Sequence, residues 1–483
     1  MWSDRLSWKQ RDRIARRLQA VLPPPRPGSR GSKTPLRLPG PQGPPSPEQV
    51  AEELREQPGF SWLDGTEGHR LYSRPLATIS TRAGGRSTAR GPLGHCTFAA
   101  SGFELLEAAF AAWRWTGATL VGYLGYELGG ELESLPPPPE DDLGLPDLHL
   151  SLYDAALRWD GQSWTLDATD AWHDVSAVEA EQLLIAARRR SVPEPPQGPL
   201  VPDGVISRPS RGGFEAAVAR TVERIASGEI FQMNLCRRLE AKFSPARLWP
   251  LYRRLRAASP AAYGAFLDLG KGQAVLSISP ELFLSVREGE VESCPIKGTR
   301  PRGANPRQDK ALARELLESE KDRAELTMIV DVVRNDLGRV CATGSVEVAA
   351  HAELMSLPTL HHTVSTVRGR LRPDAGAVEL LRATFPPASI TGAPKIQAMA
   401  AIAAEEERRR GPAMGALGWI SLSGDLELAV AIRTAAASRA AHGRIAYHAG
   451  CGVVADSDPE LEFAESAAKA RAFLTALGAR EPG

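Results

Sequence analysis

The sequence predicts an α+β fold with large, mostly antiparallel sheets. Strand-like and helix-like segments arrive in blocks rather than in strict βαβ alternation. Tight-turn residues, Asp160-Gly161 and Gly289, link neighbouring strand-like runs. Three further runs, 415–421, 427–438 and 444–454, follow one another over short links.

Residues 1–48 differ in composition from the rest. The first 22 are basic and place Leu6, Ile14, Leu18 and Val21 at the spacing of one helical face. Residues 23–47 are rich in Pro, Gly and Ser, so 1–48 reads as a flexible, dispensable extension. From residue 49 the chain is globular. An N-terminal part, 49–200, holds a strand and turn at 60–65, an amphipathic helix at 103–115, a strand at 118–126, strands at 149–159 and 163–168, and a helix at 175–190. A second proline-rich stretch, 191–202, marks the seam with the part 201–483, the two parts forming one interwoven domain. That second part opens with a helix over 211–228 that stops at Gly228 before the strand 230–239. Helices follow over 309–319 and 321–334, a strand over 364–371, a helix over 394–410, the three closing strands, and a last helix over 459–477.

Composition excludes several classes. Lys+Arg and Asp+Glu both number 58, so no overall field attracts nucleic acid or an anionic membrane. The five cysteines are scattered with no CxxC pair, which points to free thiols in a reducing compartment. No apolar run approaches the ~18 residues of a membrane span, and a cytoplasmic location is expected.

The chemistry concentrates around Lys297. Residues 291–296 read as a strand, with 282–286 as its hairpin partner, so Lys297 stands where a strand runs out into Gly298-Thr299. Turned inward, its amine loses solvation and becomes a neutral nucleophile; turned outward, it is an ordinary strand-end lysine. Glu281 lies on the neighbouring strand, where a carboxyl can exchange a proton with a reacting hydroxyl. Of His361 and His362, the second is the one expected to face inward.

Asp322 and Glu325 share one helical face, and Glu462 and Glu465 share another. Each pair alone is also what a solvated helix carries. Brought together, four carboxylates repel unless a cation neutralises them, and oxygen-only ligation fits Mg²⁺. Thr391-Gly392-Ala393-Pro394-Lys395 leads into a helix and offers free N–H groups. Gly450-Cys451-Gly452 permits close backbone approach to a carboxylate. Arg433 offers a bidentate carboxylate fork, and Lys469 stands one turn after Glu465.

Taken together, Ile230-Phe231-Gln232-Met233-Asn234-Leu235, Ser279-Pro280-Glu281, Pro295-Ile296-Lys297-Gly298-Thr299-Arg300, Asp322-Arg323-Ala324-Glu325, Thr391 to Lys395 and Asp456-Ser457-Asp458-Pro459-Glu460 resemble the chorismate-utilising enzymes. The resemblance is dense over 210–475 and implies an anthranilate-synthase-component-I-like fold, a sandwich of sheets with helices outside. Gln232 stands where isochorismate and salicylate synthases have a water-activating lysine. Lys297 stands where anthranilate synthases have alanine, and resembles the aminodeoxychorismate synthase component I branch of the family.

That resemblance implies a catalytic set of Lys297, Glu281, His362 and Thr299. It implies substrate contacts from Gly298, Thr391, Gly392, Arg433, Gly450, Cys451, Gly452 and Lys469. Mg²⁺ would be held by Glu325 and Glu465, with Asp322 and Glu462 acting through water. Chorismate, ammonia and a separate glutamine amidotransferase subunit (component II) are the implied partners. Ala413-Met414 departs from the family, whose members place an aromatic there. Anthranilate synthase component I is the alternative within the family. A non-catalytic partner, or a nucleic-acid-binding protein using the basic tail, is the alternative outside it.

Overall fold

In the computed structural model, residues 8–24, 32–36, 43–82, 84–169, 171–172, 177–357, 360–439 and 443–482 are described. Their strands form two twelve-stranded sheets in which every paired strand runs antiparallel. The first sheet runs from Ser32–Pro35 at one edge, through Tyr263–Gly270 and Gln273–Ser279, to Thr434–Ser438, Arg444–Val453 and Gln232–Lys242. The second begins at Ile296–Pro301 and passes through Leu360–Arg370, Glu290–Cys294, Leu282–Arg287 and Leu426–Val430 to strands of the N-terminal part. Both parts of the chain therefore contribute to both sheets.

Three apolar layers hold this together. Leu63, Leu267 and Val275 from the first sheet meet Val121, Tyr123 and Trp419 from the second, and this is the seam of the sandwich. Outside the second sheet lie the helices Gly102–Trp113, Glu320–Gly338 and Ala377–Thr384, while Lys395–Glu405 packs against Gln232–Lys242 of the first. Outside the first lie Pro47–Leu54, Ala177–Ala187, Leu248–Ala258 and Pro459–Leu477. Antiparallel sheets with one face toward each other and one under helices account for the alternation in the strand sequences.

Two runs that read as single strands are divided between the sheets. Residues 149–159 split at Asp154 into Leu148–Tyr153 in the second sheet and Ala155–Trp159 in the first. Residues 427–438 split into Leu426–Val430 in the second and Thr434–Ser438 in the first, with 431–433 crossing between them. A period of two does not say which sheet a strand belongs to, so a change of sheet leaves the pattern intact.

A third strand boundary also moves. Glu290–Cys294 ends at Pro295, and Ile296–Pro301 begins anew on the same partner, Leu360–Arg370. Pro295 has no N–H to give the ladder. Lys297 is thus the second residue of a strand rather than a residue beyond one.

The N-terminus corrects the expectation of a flexible extension. Trp8–Gln19 is a helix that buries Ile14, Ala15 and Leu18, with Val21 and Leu22 beyond it, against Gly102–Trp113. Gln19 Nε2 donates to the Ala112 carbonyl at 3.2 Å. Farther on, Ser32–Pro35 pairs with Trp164–Ala168. Leu6 and the linker residues 25–31 and 37–42 lie outside the described residues.

Candidate active site

A cavity of about 260 Å³ opens where the two sheets and two helices converge. One helix, Glu320–Gly338, starts at Ser319, whose Oγ accepts the Asp322 N–H at 3.2 Å. The other, Pro459–Leu477, starts at Asp458, whose Oδ1 accepts the Leu461 N–H at 3.0 Å, with Pro459 at its first position. Asp322 and Glu462 occupy the first turns of these helices, where the macrodipole favours negative charge. Glu325 and Glu465 lie nearly a turn further on, and all four acids line the cavity.

Each of these carboxylates has a cation. Glu325 Oε1 is 3.6 Å from Lys297 Nζ and accepts a hydrogen bond from Gln232 Nε2 at 2.7 Å. Asp322 pairs with Arg300 at 3.1 Å, Glu462 with Lys321 at 3.7 Å, and Glu465 with Lys469 at 2.7 Å. Four basic side chains of the same cavity thus stand beside the four acids. Among the described residues, no three His, Cys, Asp or Glu groups converge closely enough to hold a metal as the side chains stand. Glu462 nonetheless keeps one oxygen, Oε2, buried and without a hydrogen-bond partner among the described residues, while Ser457 Oγ donates to Oε1 at 2.6 Å.

Lys297 faces inward, with its side chain only 10% exposed. Its partner is the Glu325 carboxylate. Two glycines make the approach possible. A Cβ on Gly452 would stand 2.3 Å from Glu325 Oε1, 2.6 Å from Gln232 Nε2 and 3.0 Å from Lys297 Nζ, so only glycine lets these three side chains meet over the strand. Gly298 has φ +69°, and a Cβ there would strike Leu316 and Asp322.

Glu281 sits in the same wall, 3% exposed. Burial pushes its carboxyl up to about 7, against the opposing influence of Ser389 and Lys297. A carboxyl poised there exchanges protons efficiently near neutrality. If it serves as a general acid, the active form is protonated, so kcat/KM falls as pH rises through about 7. Glu281→Gln removes that alkaline limb and lowers kcat/KM by roughly 10²–10⁴-fold. A pH–rate profile of both proteins checks this, and a limb near 7 persisting in the variant assigns it elsewhere.

Arg433 occupies the crossover between the sheets with a left-handed backbone, φ +51°. Its guanidinium donates to His362 Nε2 at 3.3 Å. Arginine only donates, so Nε2 is the lone-pair nitrogen and the proton sits on Nδ1, which faces the Gly298 carbonyl at 3.2 Å and Thr299 Oγ1 at 3.0 Å. Burial and then the Arg433 charge press the ring down to about 4, so it is neutral at working pH. His362 in this state orients Arg433 and Thr299. His361, expected outside, is also buried, between Ser356 Oγ (2.8 Å) and Asp309 Oδ1 (3.0 Å).

Lys469 reaches into the cavity and donates to the Gly450 carbonyl at 3.0 Å. Burial works against its charge, but Glu465 outweighs that and its pKa is raised. Lys469 in turn holds the Glu465 carboxyl below its usual range. Gly450, Gly452, Gly298 and Thr299 line the cavity; Thr391, Gly392 and Cys451 do not. The Thr391 hydroxyl bonds back to the Ala388 carbonyl at 3.1 Å, and Gly392 pairs with Met233 in the sheet. Cys451 points into the apolar core behind the strand, opposite in parity to the two glycines. The helix that follows is turned away too: Lys395 Nζ pairs with Asp336 at 2.5 Å. Ser389 and Ile390, just upstream, are the residues of that segment that line the cavity.

Sequence reasoning missed Asn234, Tyr447 and Lys321 as lining groups. Asn234 was signalled by parity, being two residues from Gln232 on one strand. Behind this wall Arg410, 2% exposed, donates to Glu406 Oε1 (2.6 Å), the Ile390 carbonyl (2.8 Å) and the Asn234 carbonyl (2.7 Å). Arg410→Met strands the Glu406 charge and costs about 3–5 kcal/mol in denaturant unfolding, part of which Glu406→Gln in the same chain restores.

The family model for chorismate binding enzymes matches residues 58–475. This chain belongs to that family. Among its curated relatives, an aminodeoxychorismate synthase of Streptomyces griseus is 42% identical over 75% of this chain and 50% of its own length. The aminodeoxychorismate synthase component 1 of Salmonella typhimurium is 37% identical over 74% of this chain and 76% of its own. The anthranilate synthase component 1 of Streptomyces coelicolor is 40% identical over 74% and 72%. The chain thus spans about half of the first relative and three-quarters of the second. The crystal structure of anthranilate synthase component I from Streptococcus pneumoniae superposes with a TM-score of 0.72 at 29% identity, covering 87% of this chain and 93% of that one. The α+β sandwich read from the sequence is the fold of this chorismate binding enzyme. Among its described residues no helix is long and apolar enough to cross a membrane.

Proposed function

We propose that this chorismate binding enzyme converts chorismate and ammonia to 4-amino-4-deoxychorismate and water. The observation that carries the reading is Lys297: an amine deep in the cavity, beside Glu325 and facing the same space as Glu281. In this reading the Lys297 amine, once it has given up a proton, adds at C2 of chorismate. The 4-hydroxyl leaves with a proton from Glu281. Ammonia then adds at C4 and expels the lysine amine from C2, so two simple displacements replace one difficult one. Arg433, held by His362, takes a substrate carboxylate, and Thr299 and the Gly450–Gly452 strand line the pocket around it.

The donor set fits Mg²⁺. It offers only carboxylate oxygens, and one of them, Glu462 Oε2, is buried without a hydrogen-bond partner among the described residues. Glu325 and Glu465, with Asp322 and Glu462 through water, are the residues that would hold it. When bound, Mg²⁺ supplies positive charge for a carboxylate of the substrate.

Ammonia is assigned to a separate glutamine amidotransferase subunit, in keeping with the "component 1" in relatives' names. Identity alone does not separate this reading from anthranilate synthesis, since relatives of both names stand near 40%. Lys297 in the cavity favours amination at C4. Incubating the pure chain with chorismate, Mg²⁺ and ammonium, and weighing the product, tests the choice; anthranilate as main product would overturn it.

A further inference from the structure

In the proposed reaction ammonia reaches C4 of the ring while the Lys297 nitrogen is bonded to C2. These two carbons flank C3, so ammonia must arrive within a ring's width of the lysine. Most ammonia in neutral water is ammonium, which has no lone pair to give. A carboxylate at the point of arrival favours that charged form. The arriving nitrogen therefore calls for a neutral acceptor, which takes one N–H and turns the lone pair toward C4.

Most neutral groups of the cavity wall are already committed. Tyr447 donates to the Lys469 carbonyl at 3.1 Å, Thr299 Oγ1 faces His362 Nδ1 at 3.0 Å, and Ser319 Oγ caps its helix. Ser389 Oγ and both ring nitrogens of His448 are sealed within the protein. Beside the cavity, Gln232 gives Nε2 to Glu325, and its Oε1 is sealed in the same way.

Asn234 is the neutral side chain left over among the described residues. It lines the cavity and is 8% exposed. Its backbone is held on both sides: the N–H donates to the Thr391 carbonyl at 2.8 Å, and its carbonyl accepts from Arg410 at 2.7 Å. Nδ2 turns back to Cys236 Sγ at 3.4 Å. Oδ1 is left open to the cavity, without a hydrogen-bond partner among the described residues. A buried polar group is normally satisfied, so this acceptor points to a ligand with a donor.

The ladder also puts Asn234 near the lysine. It pairs directly with Gly452, so the two residues face the same way. A Cβ on Gly452 would stand 3.0 Å from Lys297 Nζ, and cross-strand spacing puts the Asn234 Cβ within roughly 8 Å of that amine. Asn234 thus flanks the place where Lys297, Glu325 and Gln232 meet.

We propose that Asn234 Oδ1 binds neutral ammonia for its attack on C4, an assignment that rests on the reaction proposed above. The ammonia lone pair forms the C4–N bond, the ring double bonds shift back, and the C2–N bond to Lys297 breaks. The new C4 ammonium passes one proton to the departing Lys297 nitrogen, so atoms and charge balance.

Following the mass of the Lys297 peptide in quenched time courses reads the two displacements apart. With chorismate and Mg²⁺ alone, Asn234→Ala should form the adduct within a few-fold of the parent rate. After ammonium is added, that adduct should decay about tenfold more slowly. The KM for ammonium should rise by a similar factor, while the KM for chorismate stays within a few-fold. Asn234→Asp, which keeps the shape and adds a charge, should also discharge slowly, because its carboxylate holds ammonium instead of ammonia. Decay at the parent rate in both variants overturns the assignment. Equal slowing of formation and decay overturns it too, since that marks a structural or chorismate-binding role. A parent chain that makes the aminated product with no adduct at all overturns the covalent reading itself, and the assignment with it.

Discussion

Lys297→Ala lowers the rate of 4-amino-4-deoxychorismate formation by on the order of 10³-fold or more, about 4 kcal/mol of transition-state stabilisation. The loss falls on kcat, because the alanine chain keeps Arg433, Lys469 and the four acids that face the substrate. It also leaves Glu325 without its cation, while the hydrogen bond from Gln232 remains. Residual turnover should shift toward anthranilate, since the family resemblance places alanine at this position in anthranilate synthases. Product analysis by mass, with kcat and KM measured separately, reads both effects. An unaltered rate and product would remove the covalent role.

Glu325→Gln should abolish the Mg²⁺ response. The substitution keeps the shape and an acceptor for Gln232, so folding is preserved, but it removes the charge that would hold the ion. Activity at saturating chorismate is expected to fall at least ~10²-fold and to stay flat across an Mg²⁺ titration, about 3 kcal/mol or more. The same titration in Lys321→Ala separates charge from position. Lys321 is half-exposed and pairs loosely with Glu462, so its loss should leave the rate within a few-fold. A Glu325→Gln enzyme with the parent's Mg²⁺ curve would exclude that carboxylate as a ligand.

The parts of this site that were legible in the sequence are those fixed by local geometry. Asp322 with Glu325, and Glu462 with Glu465, share helical faces wherever those helices go, and the capped helix starts at Ser319 and Asp458 bring both pairs to one cavity. Parity along a strand likewise fixed that Gly450 and Gly452 face one way. It should have excluded Cys451 from the same face. What was not legible depended on long-range packing. Arg433 reads as a mid-strand residue, and only the passage of 431–433 between sheets turns it toward His362. Two of the cations beside the acids come from the strand Ile296–Pro301, one from the first turn of Glu320–Gly338 and one from the last helix, and no spacing rule links Arg300 to Asp322 or Lys321 to Glu462. Composition misled at the N-terminus, because the Arg-rich helix Trp8–Gln19 carries a narrow apolar stripe that its basic residues outnumber.

The most direct measurement is peptide mass mapping after the pure enzyme is mixed with chorismate and Mg²⁺ and no ammonia, then quenched. The account predicts that the peptide holding Lys297 gains the mass of chorismate less one water, and that a chase with ammonium removes it. Formation of 4-amino-4-deoxychorismate at full rate with that peptide unmodified at every time point would contradict it.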